Sequence, residues 1–191
     1  MPQASISSQR IVLASRPKGA PTQDNFRIEQ VTLPDLVQGQ ILLKTQFLSL
    51  DPYMRGRMSD APSYAAPVEI DEVMTGGAVS RVERSMHPKF QEGDLVVGVT
   101  GWQSHSISNG RNVIPIPSGL PSPSMALGVL GMPGMTAYMG LMDIGQPKAG
   151  ETLVVAAASG AVGSVVGQVA KIKGLRVVGV AGGSDKCKYV V

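Results

Sequence analysis

Four residues set between an apolar run and a helical pattern, Gly160-Ala161-Val162-Gly163, have the types and spacing to do chemistry. Two glycines at the start of a helix leave its first amide hydrogens unpaired and uncovered, which is what a phosphate or pyrophosphate needs in order to sit there. Ala158 stands where a G-x-G-x-x-G pattern has its first glycine; this weakens the bare motif but keeps a small residue at the tight turn. About 20 positions after such glycines an acidic residue binds a ribose 2′-hydroxyl, whereas a 2′-phosphate needs a basic group. From Gly163 that interval lands on Gly183, followed by Ser184, Asp185 and Lys186. Asp185 would suit NAD. Lys186, among small residues, suits NADPH better, and NADPH is the expected cofactor. By motif alone Lys186 reads nearly as well as a solvated lysine at a helix start.

Other chemistries find few residues. A single cysteine, Cys187, rules out an internal disulfide, and with only His87 and His105 beside it the chain offers few soft metal ligands. No metal is expected. The formal charge of +3 comes from scattered Lys and Arg residues, which fits a phosphorylated small molecule better than a nucleic acid. With 43% hydrophobic and 16% charged residues the chain can bury a core, and no apolar stretch reaches the roughly 18 residues of a membrane span. No nucleic-acid or membrane partner is expected. Met1 to Ser8 lack the charged-then-apolar order of a signal peptide, so the expected location is the cytoplasm.

The elements that must position the glycine turn fall in two unlike halves, with no internal repeat. Short β segments run over Arg10 to Leu13, Phe26 to Val31, Gln40 to Phe47, Ala78 to Val82, Asp94 to Val99 and Asn112 to Ile116, separated by turn clusters. They predict a barrel or partly open β domain over residues 1–123. A Pro-rich connection from Pro115 to Pro123 hands the chain to a second domain, residues 124–191. There Met132, Met135, Met139 and Met142 recur at helical spacing and predict a helix face packed in a core. Gly145 to Glu151 is a turn. Thr152 to Ala158 reads as a strand buried on both faces, and Val162, Val165, Val166, Val169 and Ile172 form the apolar stripe of the helix that follows. Gly163, Gly167 and Ala170 give that helix a second, small-residue face for close approach to a strand or ligand, and Gly174 is its cap. Leu175 to Ala181 is the next strand, and Lys186 to Val191 reads as a helix just begun. Two strands of a six-stranded Rossmann sheet are thus legible, so the chain reads as an incomplete unit.

Ala157 to Lys171 resembles the zinc-independent branch of the medium-chain dehydrogenase/reductase superfamily. Leu50-Asp51-Pro52-Tyr53-Met54-Arg55-Gly56-Arg57-Met58 and Gly131-Met132-Pro133-Gly134-Met135-Thr136-Ala137-Tyr138 are similar to stretches of its prostaglandin/leukotriene, plant 2-alkenal and bacterial NADPH-dependent curcumin reductases. The likeness spans nearly the whole chain and is nearest to the curcumin reductases; the Asp-Pro-Tyr-Met-Arg run is specific to this branch. It implies an amino-terminal GroES-like β-barrel domain followed by the first part of a Rossmann doubly wound parallel sheet, with substrate held between the two. It further implies a homodimer when full-length, and a reductase that delivers hydride from NADPH to the β-carbon of α,β-unsaturated ketones and aldehydes. The protein would act by orientation and by stabilising the developing enolate. By the same resemblance Tyr53 is a substrate-pocket tyrosine, Thr136 lies near the nicotinamide, Gly160, Ala161, Val162 and Gly163 hold the pyrophosphate, and Lys186 holds the 2′-phosphate. Tyr53 has a competing structural reading, a ring capping the β domain with its hydroxyl on the backbone. Arg55 and Arg57 read as surface charges or packing ties.

Zinc-dependent relatives carry a Gly-His-Glu motif near the segment that here reads Met74-Thr75-Gly76-Gly77-Ala78-Val79, which disfavours metal-assisted alcohol oxidation. A quinone reductase of the same superfamily and a non-catalytic NADPH-binding module are the rival readings. With further sheet strands and nicotinamide contacts expected beyond Val191, these 191 residues alone are expected to turn over little or nothing.

Overall fold

The computed structural model describes residues 5–191, so the part of the amino-terminal reading resting on Met1 to Ala4 lies outside the described residues. The chain forms two units, one up to Pro123 and one from Ser124 to Val191.

In the first unit the apolar, β-branched segments become antiparallel strands: β1 (Ile6–Leu13), β2 (Phe26–Leu33), β3 (Ile41–Leu48), β4 (Gly77–Ser85), β5 (Leu95–Val99), β6 (His105–Ser108) and β7 (Val113–Pro115). β1 and β2 form a ribbon in which Ile6 faces Leu33 and Leu13 faces Phe26. The others form an open sheet in the order β6-β3-β4-β5-β7. Isolated bridges from Arg10 to Gln103 and from Val12 to Val73 tie the ribbon to loops of the sheet unit. This is the partly open β domain that the turn spacing predicts. β6 has no counterpart in the sequence reading. Its His-Ser-Ile-Ser run carries one apolar residue, and pairing with Ile41 to Lys44 defines it.

Strand alternation sends Ile41 and Leu43 of β3 inward to meet Val82, Phe90, Val96 and Val113 in one core. A second core joins Leu13, Met54, Met58, Val68 and Met74, with Phe26, Tyr53 and Trp102 packed against it. The Phe26 and Trp102 rings stack with centroids 5.5 Å apart. Met54 and Met58 reach this core from α1 (Tyr53–Arg57) and its C-cap. Burying a methionine contributes about 1.5–3 kcal/mol, so this one-turn helix is held by what it buries rather than by propensity.

In the second unit, α2 (Met132–Tyr138) runs into a π-helical turn over Met139–Gly145, ended by Gln146 at φ 45° before Pro147. Here the structure corrects the methionine reading. Met132, Met135 and Met139 are exposed, and the buried residues are Pro133, Gly134, Ala137 and Leu141. Pro133, Ala137 and Leu141 are themselves four apart, so two apolar stripes compete, and the one with small residues allows close packing on the next helix. Met142 alone of the four packs on the core of Leu141, Ala170 and Leu175.

β8 (Thr152–Ala156) and β9 (Arg176–Val180) pair in parallel, Thr152 opposite Arg176, joined by α3 (Ala161–Ile172). Val166 and Val169 of the expected stripe pack on this core, while Ile172, 81% exposed, falls past its end. Gly167 turns its open side to Val177 of β9. Gly174 ends the helix at φ 79°, with Leu175 N–H donating to Ala170 carbonyl at 3.0 Å and Gly174 N–H to Lys171 carbonyl at 3.0 Å. β8 is not buried on both faces. Val155 is covered, whereas Val154 on the other face is 63% exposed, because α3 packs on only one side.

Candidate functional site

β8 leads into a turn over Ala157 to Ser159. Ala157 has φ 50°, a left-handed conformation that costs a non-glycine residue about 1–2 kcal/mol. The strained position thus lies one residue before Ala158, where the motif places its tight-turn glycine. Ala158 is buried, donates its N–H to Val180 carbonyl at 3.0 Å, and faces Gly179 of β9, where an added Cβ would come within 2.9 Å of it. Alanine is accepted here because its neighbour has no side chain. Gly160 is the N-cap of α3, and the first helical bond runs from Ser164 N–H to its carbonyl at 2.9 Å. The N–H groups of Ala161, Val162 and Gly163 therefore have no acceptor within the helix. A Cβ on Gly163 would run into the Ala157 carbonyl, so the glycine lets the helix start press against the turn.

Because β8 and β9 are adjacent and parallel, the turns after both open at the same edge of the sheet. There α3 and α4 (Ser184–Val190) begin. This brings Gly160 to Gly163 and Lys186, in the first turn of α4, to one edge. Lys186 is exposed and makes no ion pair among the described residues; Asp185 beside it is exposed as well. Three open amides, glycines on both turns and a free lysine form a donor set that fits a dinucleotide pyrophosphate with a 2′-phosphate. Thr136 sits on the exposed face of α2, which packs on α3.

Tyr53 belongs to the first unit. Its ring packs on the second core, and its hydroxyl has Asp51, Arg57, Thr75 and Tyr64 as electrostatic neighbours. Burial pushes the phenol above its ordinary range and Asp51 adds to this, while Arg57 and a hydrogen bond with Thr75 pull the other way. The phenol is protonated at neutral pH and able to donate. Flanking hydrogen bonds hold Thr75: Met74 N–H to Ile11 carbonyl at 3.0 Å, Trp102 N–H to Met74 carbonyl at 2.8 Å and Gly101 N–H to Gly76 carbonyl at 3.1 Å.

Arg55 is the packing tie that the sequence allows, its Nε donating to Gly19 carbonyl at 2.9 Å and Nη2 to Pro17 carbonyl at 3.1 Å. Arg57 differs: its Nε is buried and, among the described residues, without a partner. Sequence reasoning gave Arg57 no chemistry and passed over Thr75. The four-residue step from Tyr53 to Arg57 was a readable signal once a helix was drawn there; nothing local marks Thr75. Among the described residues no three His, Cys, Asp or Glu side chains group as a metal site, and no helix is long and apolar enough to cross a membrane.

Residues 9–116 match the family described as the N-terminal domain of oxidoreductase. The chain is 59% identical over 189 residues to the NADPH-dependent curcumin reductase of Escherichia coli (strain K12), covering 99% of this chain and 55% of that protein. It is 47% identical over 176 residues to prostaglandin reductase 1 of Rattus norvegicus, covering 91% of this chain and 51% of the relative. Among solved structures, CurA from Vibrio vulnificus in complex with NADPH superposes with a TM-score of 0.89 at 61% identity, covering 95% of this chain and 54% of that one. The chain therefore spans about half the length of the curated relatives it matches. With the amino-terminal family matched over residues 9–116 and these reductases alike along nearly all of its length, the chain belongs to the zinc-independent branch of the medium-chain dehydrogenase/reductase superfamily.

Proposed function

We propose that this chain is the amino-terminal part of an NADPH-dependent reductase of the carbon-carbon double bond of α,β-unsaturated ketones and aldehydes. The observation that carries this reading is the 59% identity to a curcumin reductase over 189 residues, a span that takes in both the Tyr53 helix and the glycine turn. NADPH, when bound, supplies the hydride. The open amides of Ala161, Val162 and Gly163 take the pyrophosphate, Lys186 takes the 2′-phosphate, and Thr136 lies toward the nicotinamide. The Tyr53 hydroxyl, protonated at neutral pH, donates to the substrate's carbonyl oxygen and polarises the enone. Hydride arriving at the β-carbon turns the enone into an enolate, and a proton at the α-carbon completes the saturated ketone. The reaction needs no metal, because the charge that develops on oxygen is met by donors that the protein holds in place.

NADPH consumption by the full-length protein with an unsaturated ketone, its saturated counterpart and a quinone tests the reaction. Consumption is expected with the first alone; preference for the quinone would replace this reading with the rival reductase. Tyr53→Phe is expected to lower kcat about tenfold or more, the scale of one lost donor to a charged oxygen. Wild-type turnover by that variant would remove Tyr53 from the site. Nicotinamide fluorescence tests the cofactor separately: Lys186→Ala is expected to weaken NADPH about tenfold and leave NADH unchanged, since a hydrogen bond to a charged group is worth about 1.5–3 kcal/mol. Equal losses for both cofactors would take the 2′-phosphate away from Lys186.

A further inference from the structure

Around α1 every arginine but one is spoken for by the fold. Arg16 donates through Nη1 to the carbonyls of Met58 and Val68 at 3.2 and 3.1 Å and meets Glu69 at 3.3 Å. Arg55 holds the carbonyls of Gly19 and Pro17. Arg57 has a buried Nε with no hydrogen-bond partner, and among the described residues no carbonyl or carboxylate accepts from its guanidinium. Its own carbonyl is taken by Val68 N–H at 2.7 Å, which fixes the backbone from which the side chain springs. A guanidinium carries its charge at all working pH values, and leaving one half-buried without an acceptor is costly. The Nε is sealed from solvent, so it is the terminal nitrogens, for which the described residues supply no acceptor, that can meet a ligand or ordered water. Four residues along one helical turn place Arg57 on the same face as Tyr53, and the two side chains are electrostatic neighbours.

We propose that Arg57 is a second oxygen-binding residue beside Tyr53, whose guanidinium receives the substrate's carbonyl oxygen as that oxygen becomes an oxyanion. The inference rests on the reading of Tyr53 as substrate-facing. Hydride adds to the β-carbon; the electron pair of the α,β double bond moves to join the α-carbon to the carbonyl carbon, and the carbonyl π pair moves onto oxygen. Arg57 meets this last charge with N–H donors without giving up a proton. When the α-carbon takes a proton the pair returns to the carbonyl, and the contact weakens. A fixed cation stabilises the enolate more than the neutral enone, which is the difference that raises kcat. The substrate class is a carbonyl compound with its oxygen free to enter the site, not a bare alkene.

The test uses 4-nitrophenolate as an oxyanion probe, followed by its absorbance on the chain and on Arg57→Met, Arg57→Lys and Tyr53→Phe. Met is uncharged, and the neighbouring core already holds Met54, Met58 and Met74. Arg57→Met is expected to weaken the probe at least tenfold, with Arg57→Lys recovering part of the loss. A second readout is the titration of Tyr53 by carbon NMR of labelled tyrosine, in which Arg57→Met moves the phenol further up and Arg57→Lys does not. Probe binding by Arg57→Met equal to wild type, or an unmoved Tyr53 titration in that variant, overturns the proposal. Full enone turnover by Tyr53→Phe in the full-length protein, with the probe still lost in Arg57→Met, would instead overturn the reading of Tyr53 and leave Arg57 as an oxyanion site of another reaction.

Discussion

Arg10 stands directly across the β1–β2 ribbon from Glu29, Nη2 and Oε2 being 2.8 Å apart, and Glu29 also accepts from Arg27, which reaches on to Asp71 at 2.8 Å. These bonds, Arg27's first and Arg10's second, hold the Glu29 carboxyl below the ordinary glutamate range. The folded state therefore favours the ionised form. Its contribution is complete above the ordinary range and fades as pH falls through the lowered folded value. Urea midpoints measured against pH are expected to show wild type above Glu29→Gln near neutrality, with the gap closing in acid. A gap that stays constant would mean that the substitution acts through shape alone. Arg57 belongs to this scale too, and it shows why site residues are only partly legible. Its type and its step from Tyr53 are in the sequence, but an arginine reads as a tie or a surface charge until its neighbours are seen to have their acceptors and it is seen to have none.

Among the elements, the strand-turn-helix unit was the most legible because each part of it has a local cause. An apolar run makes β8, glycines free the helix start, and Gly174 stops α3 in a left-handed cap. The one-turn helix α1 and the strand β6 were not legible: each is shorter than the window over which a period can be read, and their partners are distant in sequence. The methionine helix was legible as a helix and misread as to its face, because two stripes run along it, the methionines at steps of three and four and Pro133, Ala137 and Leu141 at steps of four, and size, not hydrophobicity, decides which one packs. The same reasoning about close approach gives a prediction for the turn. Gly163→Ala puts a methyl against the Ala157 carbonyl, a backbone atom with no rotamer to escape into, and is expected to destabilise by about 1–3 kcal/mol. Gly160→Ala, whose Cβ would stand 3.2 Å from the same oxygen, is expected to cost less. Chemical denaturation of the two variants checks the order, and equal losses would mean that the turn shifts freely under α3.

For the molecule as a whole, the buried side chains are unevenly shared. The first unit closes two cores of its own, built from Ile41, Leu43, Val82, Phe90, Val96 and Val113 and from Leu13, Met54, Met58, Val68 and Met74. The second has one core of Leu141, Ala170 and Leu175, and it leaves Val154, Val178 and Val180 exposed on a two-stranded sheet. Within these 191 residues a two-stranded sheet with one covered face gains little burial against the entropy of ordering its chain, so its local stability is expected to lie below that of the β3–β4 core. Amide exchange is expected to divide the chain accordingly, with slow exchange for β3 and β4 and fast exchange for β8 and β9 under the same conditions. Denaturant should melt the second unit first, seen as loss of helical signal while Trp102, stacked on Phe26 in the first unit, keeps its folded fluorescence. Dinucleotide added in excess should raise only the earlier transition, because a ligand stabilises the unit that binds it, by about 2.7 kcal/mol at a hundredfold excess over its dissociation constant. Coincident transitions by both probes, moved together by the ligand, would show that the two units fold as one cooperative body and that the glycine turn draws its rigidity from the whole chain.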